Sequence, residues 1–150
     1  MTHDLTADRR LRLTQAAWSS LRRINDQGNK IVWTPDQTVW GVIERWEFPK
    51  DLGHKKVEDC DGITLWKMDQ LMKAGFPPDP LLFTICFTET DEGHAVLCVT
   101  TDRGDFILDN RYDDVKSYDE LREIGYRFVY RSQIGGKLTD LWDRIRDNRP

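Results

Sequence analysis

Gly93-His94-Ala95-Val96-Leu97-Cys98-Val99-Thr100-Thr101-Asp102-Arg103-Gly104-Asp105-Phe106-Ile107-Leu108-Asp109-Asn110 is two apolar runs folded about a polar, glycine-bearing turn. Such runs, rich in Val, Ile and Phe and bounded by turn residues, predict strands at about 94 to 100 and 105 to 109. In an antiparallel pair, opposite residues share a face and their numbers sum to a constant. A two-residue turn at Asp102-Arg103 sets that sum to 205 and puts Asp109 opposite Val96. Val96 and His94 lie two apart and share a face, so Asp109 becomes the diagonal neighbour of His94, within reach of a carboxylate-imidazole contact. A three-residue turn would send Asp109 to the other face.

Working outward, Leu81 to Thr88 predicts a strand before the turn-rich Glu89-Thr90-Asp91-Glu92-Gly93. Upstream again, a helix is expected from Asp59 or Cys60 to Ala74, with Leu65, Met68, Leu71 and Met72 facing the core. Gly75 supplies a left-handed stop and Pro77-Pro78 prevent continuation. A first helix is expected from Thr14 to Gln27, burying Ala17, Leu21 and Ile24 with Trp18 beside them, and ending at Gly28. After the meander, Ser117-Tyr118-Asp119-Glu120 is a capping box opening a helix to Ile124, and Tyr126 to Tyr130 alternates as a fourth strand. Leu138 to Arg146 reads as helix. Helices first and a hairpin-connected sheet afterwards define an α+β fold, with the Cys60 helix packed on one face of an antiparallel sheet. Residues 1 to 12 read as a flexible arm and 13 to 150 as a single domain.

Bulk properties narrow the function. The chain has 150 residues, 39% hydrophobic and 32% charged, with a formal net charge of −4. That charge gives no reason to expect a nucleic-acid partner, and no apolar run approaches the ~20 residues of a membrane span. Lacking a signal peptide, the sequence as written reads as cytoplasmic, or as periplasmic if it is a trimmed mature form. Its oligomeric state is not legible. The cysteines at 60, 86 and 98 are too few and too irregular for a disulfide scaffold or a zinc site. Cys86 and Cys98 sit in strand-like runs and are expected as buried thiols, facing each other if their hairpin centres near Glu92.

Cys60 is different. It opens a helix, where unpaired N–H groups favour a thiolate, and a histidine and an acid follow on neighbouring strands. A cysteine nucleophile needs a base within hydrogen-bond reach and a third group to orient that base. His94 and Asp109 are the candidates, with Asn110 an alternative orienting group. His3 lies in the arm and His54 in a polar stretch. Asp59 and Asp61 flank the sulfur with negative charge, which raises a thiol pKa unless they cap the helix or a cation neutralises them. Trp33, Trp40 and Trp46 crowd a segment of aromatics and breakers; they cover the core, or Trp40 or Trp46 walls a substrate groove.

These residues resemble the bacterial transglutaminase-like cysteine peptidases, which share the papain/transglutaminase-like fold. The resemblance runs from about Leu13 to Arg131. It rests on Trp18 through Asn25, Pro35-Asp36, Trp40-Gly41, Glu44-x-Trp46 with Pro49, Asp59-Cys60-Asp61, Gly93 through Leu97, and Gly104 through Asn110. It implies a Cys60-His94-Asp109 triad, a thioester intermediate and a protein or peptide substrate. In some members acidic residues beside the cysteine bind calcium, which by resemblance makes Asp59 and Asp61 metal candidates. Where members show cysteine, two acids and an aromatic, this chain reads Cys60-Asp61-Gly62-Ile63. The same triad also serves a transglutaminase or amide acyltransferase, and a non-catalytic binding module could keep the fold.

Overall fold

The computed structural model describes residues 2–30, 59–133 and 143–144, with only the backbone considered at 59–61, 133, 143 and 144. Helix α1 spans Gln15–Lys30. The Thr14 hydroxyl starts it by accepting the Ala17 N–H at 3.0 Å. Ala17, Leu21 and Ile24 are buried, as their spacing predicts. Gly28 does not end the helix, contrary to expectation. It is buried within α1, and a Cβ there would lie 2.8 Å from Cε of Lys67. This glycine permits a close approach; it is not a helix stop.

Helix α2 spans Asp59–Lys73 and buries Leu65, Met68 and Leu71. It ends at Gly75, φ +96. The Gly75 N–H donates to Met72 O and the Phe76 N–H to Leu71 O, at 3.1 and 3.0 Å, which is the expected left-handed termination.

Strands β1 (Leu81–Phe87), β2 (Gly93–Thr101) and β3 (Gly104–Leu108) form the meander. β4 (Lys116–Ser117) leads into α3 (Tyr118–Ile124), and β5 (Arg127–Gln133) and β6 (Asp143–Arg144) follow. The sheet order is β4-β3-β2-β1-β5-β6, with every neighbour antiparallel. The expected fourth strand, β5, therefore lies beside β1. Helix was the wrong reading at Asp143 and Arg144, which pair with Arg131 and Tyr130; the rest of 138–146 lies outside the described residues. Pairing the exposed edge of β5 satisfies backbone groups there, a demand that side-chain periodicity does not reveal.

Two registers decide where the site forms. Thr101 faces Gly104 and Leu97 faces Leu108, so the β2–β3 turn has two residues and the sum is 205 as derived from sequence. The β1–β2 hairpin differs. Cys86 faces His94 and Leu82 faces Cys98, so the two cysteines are not opposite each other. The Thr88–Glu92 turn sets this register: Thr88 N–H donates to Glu92 O, Asp91 N–H donates to Thr88 O, and Asp91 adopts φ +65.

Alternation then sorts the core into two layers. Leu81, Phe83, Ile85, Ala95, Leu97 and Val99 meet Ala17, Leu21 and Ile24 of α1 and Leu65, Met68 and Leu71 of α2. Leu82, Cys86, Val96, Cys98 and Ile107 meet Leu121 of α3 with Tyr126 and Phe128 on the opposite face. Cys98 is a buried thiol on the His94 face, as expected, but α3 covers that face and α2 packs on the other. Helix α3 carries the predicted capping box, in which Ser117 Oγ accepts the Glu120 N–H and Glu120 Oε1 accepts the Ser117 N–H. In β5 a bulge between the partners of Ile85 and Cys86 reverses alternation, placing Phe128 with Cys86 and Tyr130 with Ile85.

Residues 2–12, expected as a flexible arm, are tied to the body instead. Leu11 is fully buried, its N–H donates to Thr100 O, and its carbonyl accepts the Asp102 N–H, both at 2.9 Å. One apolar residue with strand-like pairing outweighs the polar composition around it.

Candidate functional site

The site lies at one end of the sheet, where β2 begins and β3 ends. His94 is the second residue of β2, and Asp109 directly follows β3. Nε2 of His94 lies 2.7 Å from Oδ1 of Asp109. The diagonal contact derived from strand parity is therefore made. A carboxylate accepts, so Nε2 carries the proton and, in the neutral ring, Nδ1 carries the basic lone pair. His94 is 7% exposed and Asp109 0%, so this pair works largely out of water.

Burying a carboxylate this completely opposes its charge, and three contacts offset that cost. Burial, the largest single influence on Asp109, pushes its pKa up. The hydrogen bond and charge of His94, the Tyr126 hydroxyl and the Arg111 N–H pull it down, and the net position is below the ordinary carboxylate value. Tyr126 Oη donates to Oδ2 at 2.6 Å, and the Arg111 N–H donates to Oδ1 at 2.9 Å. It is Asp109, not Asn110, that meets the imidazole.

Tyr126, Arg111 and Glu89 belong to this arrangement and were not singled out from the sequence. Arg111 donates Nη1 to Tyr126 Oη at 2.8 Å and to Glu89 Oε2 at 2.9 Å, and its Nη2 pairs with Glu89 Oε1. A chain thus runs Glu89, Arg111, Tyr126, Asp109, His94. The Tyr126 phenol is pushed up by burial and by the Asp109 carboxylate, so it stays protonated and donates. Gly125 makes room: it caps α3 at φ +119, and a Cβ there would sit 2.9 Å from Cβ of Glu89. The one available sequence signal was Tyr126 itself, because a buried tyrosine hydroxyl needs a partner.

Cys60 lies in the first turn of α2, where the sequence put it. Thr64, one turn further on, donates its hydroxyl to Ala95 O at 3.3 Å. Residues four apart share a helix face and differ by about 6 Å along the axis, so the first turn of α2 lies about one helical turn from the contact with Ala95. Asp59 and Asp61 share this first turn, and the side chains of all three residues lie outside the described set. So do Trp40, Trp46 and His54. His3 stacks on Phe76, ring centroids 4.2 Å apart, beyond the far end of α2.

The family described as bacterial transglutaminase-like cysteine proteinase, BTLCP, matches residues 2–150. The chain belongs to this family. Among solved structures, calcium-bound Legionella pneumophila LapG is 22% identical with a TM-score of 0.55, covering 75% of this chain and 63% of that one. EGTA-treated LapG from the same organism is 20% identical with a TM-score of 0.55, covering 84% and 70%. The match thus spans just under two thirds of the calcium-bound LapG chain. At such identities the likeness shows the fold, which is papain/transglutaminase-like as expected. No curated protein matches the sequence. Among the described residues, no helix is long and apolar enough to cross a membrane.

Proposed function

We propose that this protein is a cysteine peptidase that cleaves a protein or peptide substrate through Cys60, His94 and Asp109. The observation that carries the reading is the buried 2.7 Å pair between His94 Nε2 and Asp109 Oδ1 at the end of the sheet. Family membership and the first-turn position of Cys60 support it. In this reading Nδ1 of His94 takes the thiol proton and the thiolate attacks the scissile carbonyl carbon. The tetrahedral intermediate collapses as the imidazolium protonates the leaving amine, and water hydrolyses the resulting thioester. Asp109 stays ionised throughout and stabilises the imidazolium. The backbone N–H of Cys60 is proposed as one oxyanion donor, and Trp40 or Trp46 as a groove wall.

Calcium, with Asp59 and Asp61 as ligands, is a separate part of the proposal. Calcium takes six to eight oxygens, and two aspartates supply only a fraction of them. Among the described residues no three His, Cys, Asp or Glu side chains form a metal site. The remaining oxygens would come from other side chains, main-chain carbonyls or water. When bound beside Cys60, calcium would cancel the carboxylate field that disfavours a thiolate.

A thiol-directed probe tests the nucleophile. Fast labelling at neutral pH is expected for native protein and for Cys60→Ser no labelling above background; equal labelling of the two would sink the assignment. Incubation with a peptide library, with and without calcium, followed by mass spectrometry separates hydrolysis from acyl transfer. Shorter peptides support the peptidase, cross-linked products the acyltransferase, and unchanged peptides a binding module.

A further inference from the structure

Lys67 lies on α2 two turns beyond Cys60, and it is 1% exposed. Its stem crosses α1 at Gly28, which has no side chain to block it. Nζ donates to Asn25 Oδ1 at 2.8 Å and to Asn29 Oδ1 at 2.6 Å. Both asparagines turn their other end to the loop after β3. Asn29 Nδ2 donates to Asp109 O at 3.1 Å and Tyr112 O at 2.8 Å, and Asn25 Nδ2 donates to Asp113 O at 3.2 Å and Tyr112 O at 3.4 Å.

The donor and acceptor inventory makes this arrangement directional. An ammonium has only donors, so each amide must present its oxygen to Lys67. Main-chain carbonyls have only acceptors, so each amide must present its NH2 to the loop. Turning either asparagine over would set donor against donor and acceptor against acceptor. Burial pushes Lys67 down to about 7 while the Asp109 carboxylate opposes that shift. A buried lysine is costly to keep for packing alone, since an apolar side chain of similar length fills the same volume.

We propose that Lys67 is a positioning residue: through Asn25 and Asn29 it clamps the main chain at Asp109, Tyr112 and Asp113 and so registers the His94–Asp109 pair against the helix that carries Cys60. The side chain of Asp109 is held by Tyr126 and Arg111, and its main chain is held from the other side of the sheet by this clamp. The consequence for Cys60 rests on the peptidase reading; the consequence for the His94–Asp109 bond does not.

The test uses the full chain with Asn29→Ala and Lys67→Met, and reads the His94 ring titration by NMR with the alkylation rate of Cys60. Asn29 is only half-buried, so its variant remains foldable if Lys67→Met does not. Loosening Asp109 lowers the proton affinity of His94, whereas simply deleting a nearby cation raises it. The expected result is a His94 midpoint lower by about 0.5 to 1 on the pH scale in both variants, and Cys60 alkylation at neutral pH slower by about tenfold. A folded Asn29→Ala protein whose His94 midpoint is unchanged or higher overturns the proposal, leaving Lys67 a helix-packing residue. If native alkylation proves indifferent to His94→Ala, the peptidase reading is what has failed, and the titration still decides the clamp.

Discussion

Replacing Tyr126 by Phe removes a single oxygen and nothing else from the site. Tyr126 is fully buried, and its ring packs against Phe128 at 5.9 Å between centroids, a contact that phenylalanine keeps. No cavity larger than a hydroxyl opens. What disappears is a 2.6 Å donation to Asp109 Oδ2 and a 2.8 Å acceptance from Arg111 Nη1. Arg111 retains Glu89, so its loss is minor, whereas Asp109 keeps its charge with one donor fewer and no access to water. Hydrogen bonds to charged groups contribute about 1.5–3 kcal/mol. The expected destabilisation at pH 7 is therefore about 2 kcal/mol, or roughly 4–8 °C in melting temperature for a domain of this size.

The pH dependence supplies the sharper check. The native environment holds the Asp109 pKa below its unfolded value, so its contribution to stability is present above the ordinary carboxylate pKa and is lost as pH falls through the depressed one. Removing the Tyr126 donor raises the folded-state value. The gap between native and variant should then be largest at neutral pH and shrink in acid, once Asp109 is protonated in both. Urea denaturation at a series of pH values from 7 down to about 3 measures this directly. A variant within about 0.5 kcal/mol of native at pH 7, or one whose deficit is the same at every pH, would refute the reasoning.

Gly125→Ala should cost about 1–3 kcal/mol by chemical denaturation, because φ +119 strains any L side chain and the new Cβ meets Glu89 Cβ at 2.9 Å. The same variant should slow Cys60 alkylation, since Glu89 is displaced from Arg111. Cys86 and Cys98 are 0% and 2% exposed, and burial pushes the Cys98 thiol up to about 12. Mass-spectrometric mapping of iodoacetamide adducts should find neither modified in folded protein and both modified in denaturant.

Much of the architecture was legible because it depends on local chemistry. Leu65, Met68 and Leu71 repeat at helical spacing, Gly75 stands where a left-handed cap is required, and Ser117 with Glu120 forms its capping box within four residues. The His94–Asp109 contact was legible for a similar reason: a two-residue turn sets the register of the whole β2–β3 ladder. Where local signals served two purposes, they misled. Gly28 looks like a helix stop and is a crossing point for Lys67, and a polar N-terminal stretch hides the buried Leu11.

By itself the sequence determined the α+β class, a helix start at Asp59 or Cys60, and a shared face for His94 and Asp109 on condition of a two-residue turn, because each follows from periodicity, capping or parity over short distances. Only the tertiary structure decided which strand flanks β1, that α3 and α2 cover opposite faces, and that Tyr126, Arg111, Glu89, Asn29 and Lys67 converge on Asp109. Those partners lie far from Asp109 or next to it in sequence with no common spacing. Tyr126 and the Arg111 N–H answer the demand of one fully buried carboxylate for donors, Glu89 holds Arg111, and Asn29 with Lys67 holds the Asp109 main chain; those demands exist only after folding has removed the water.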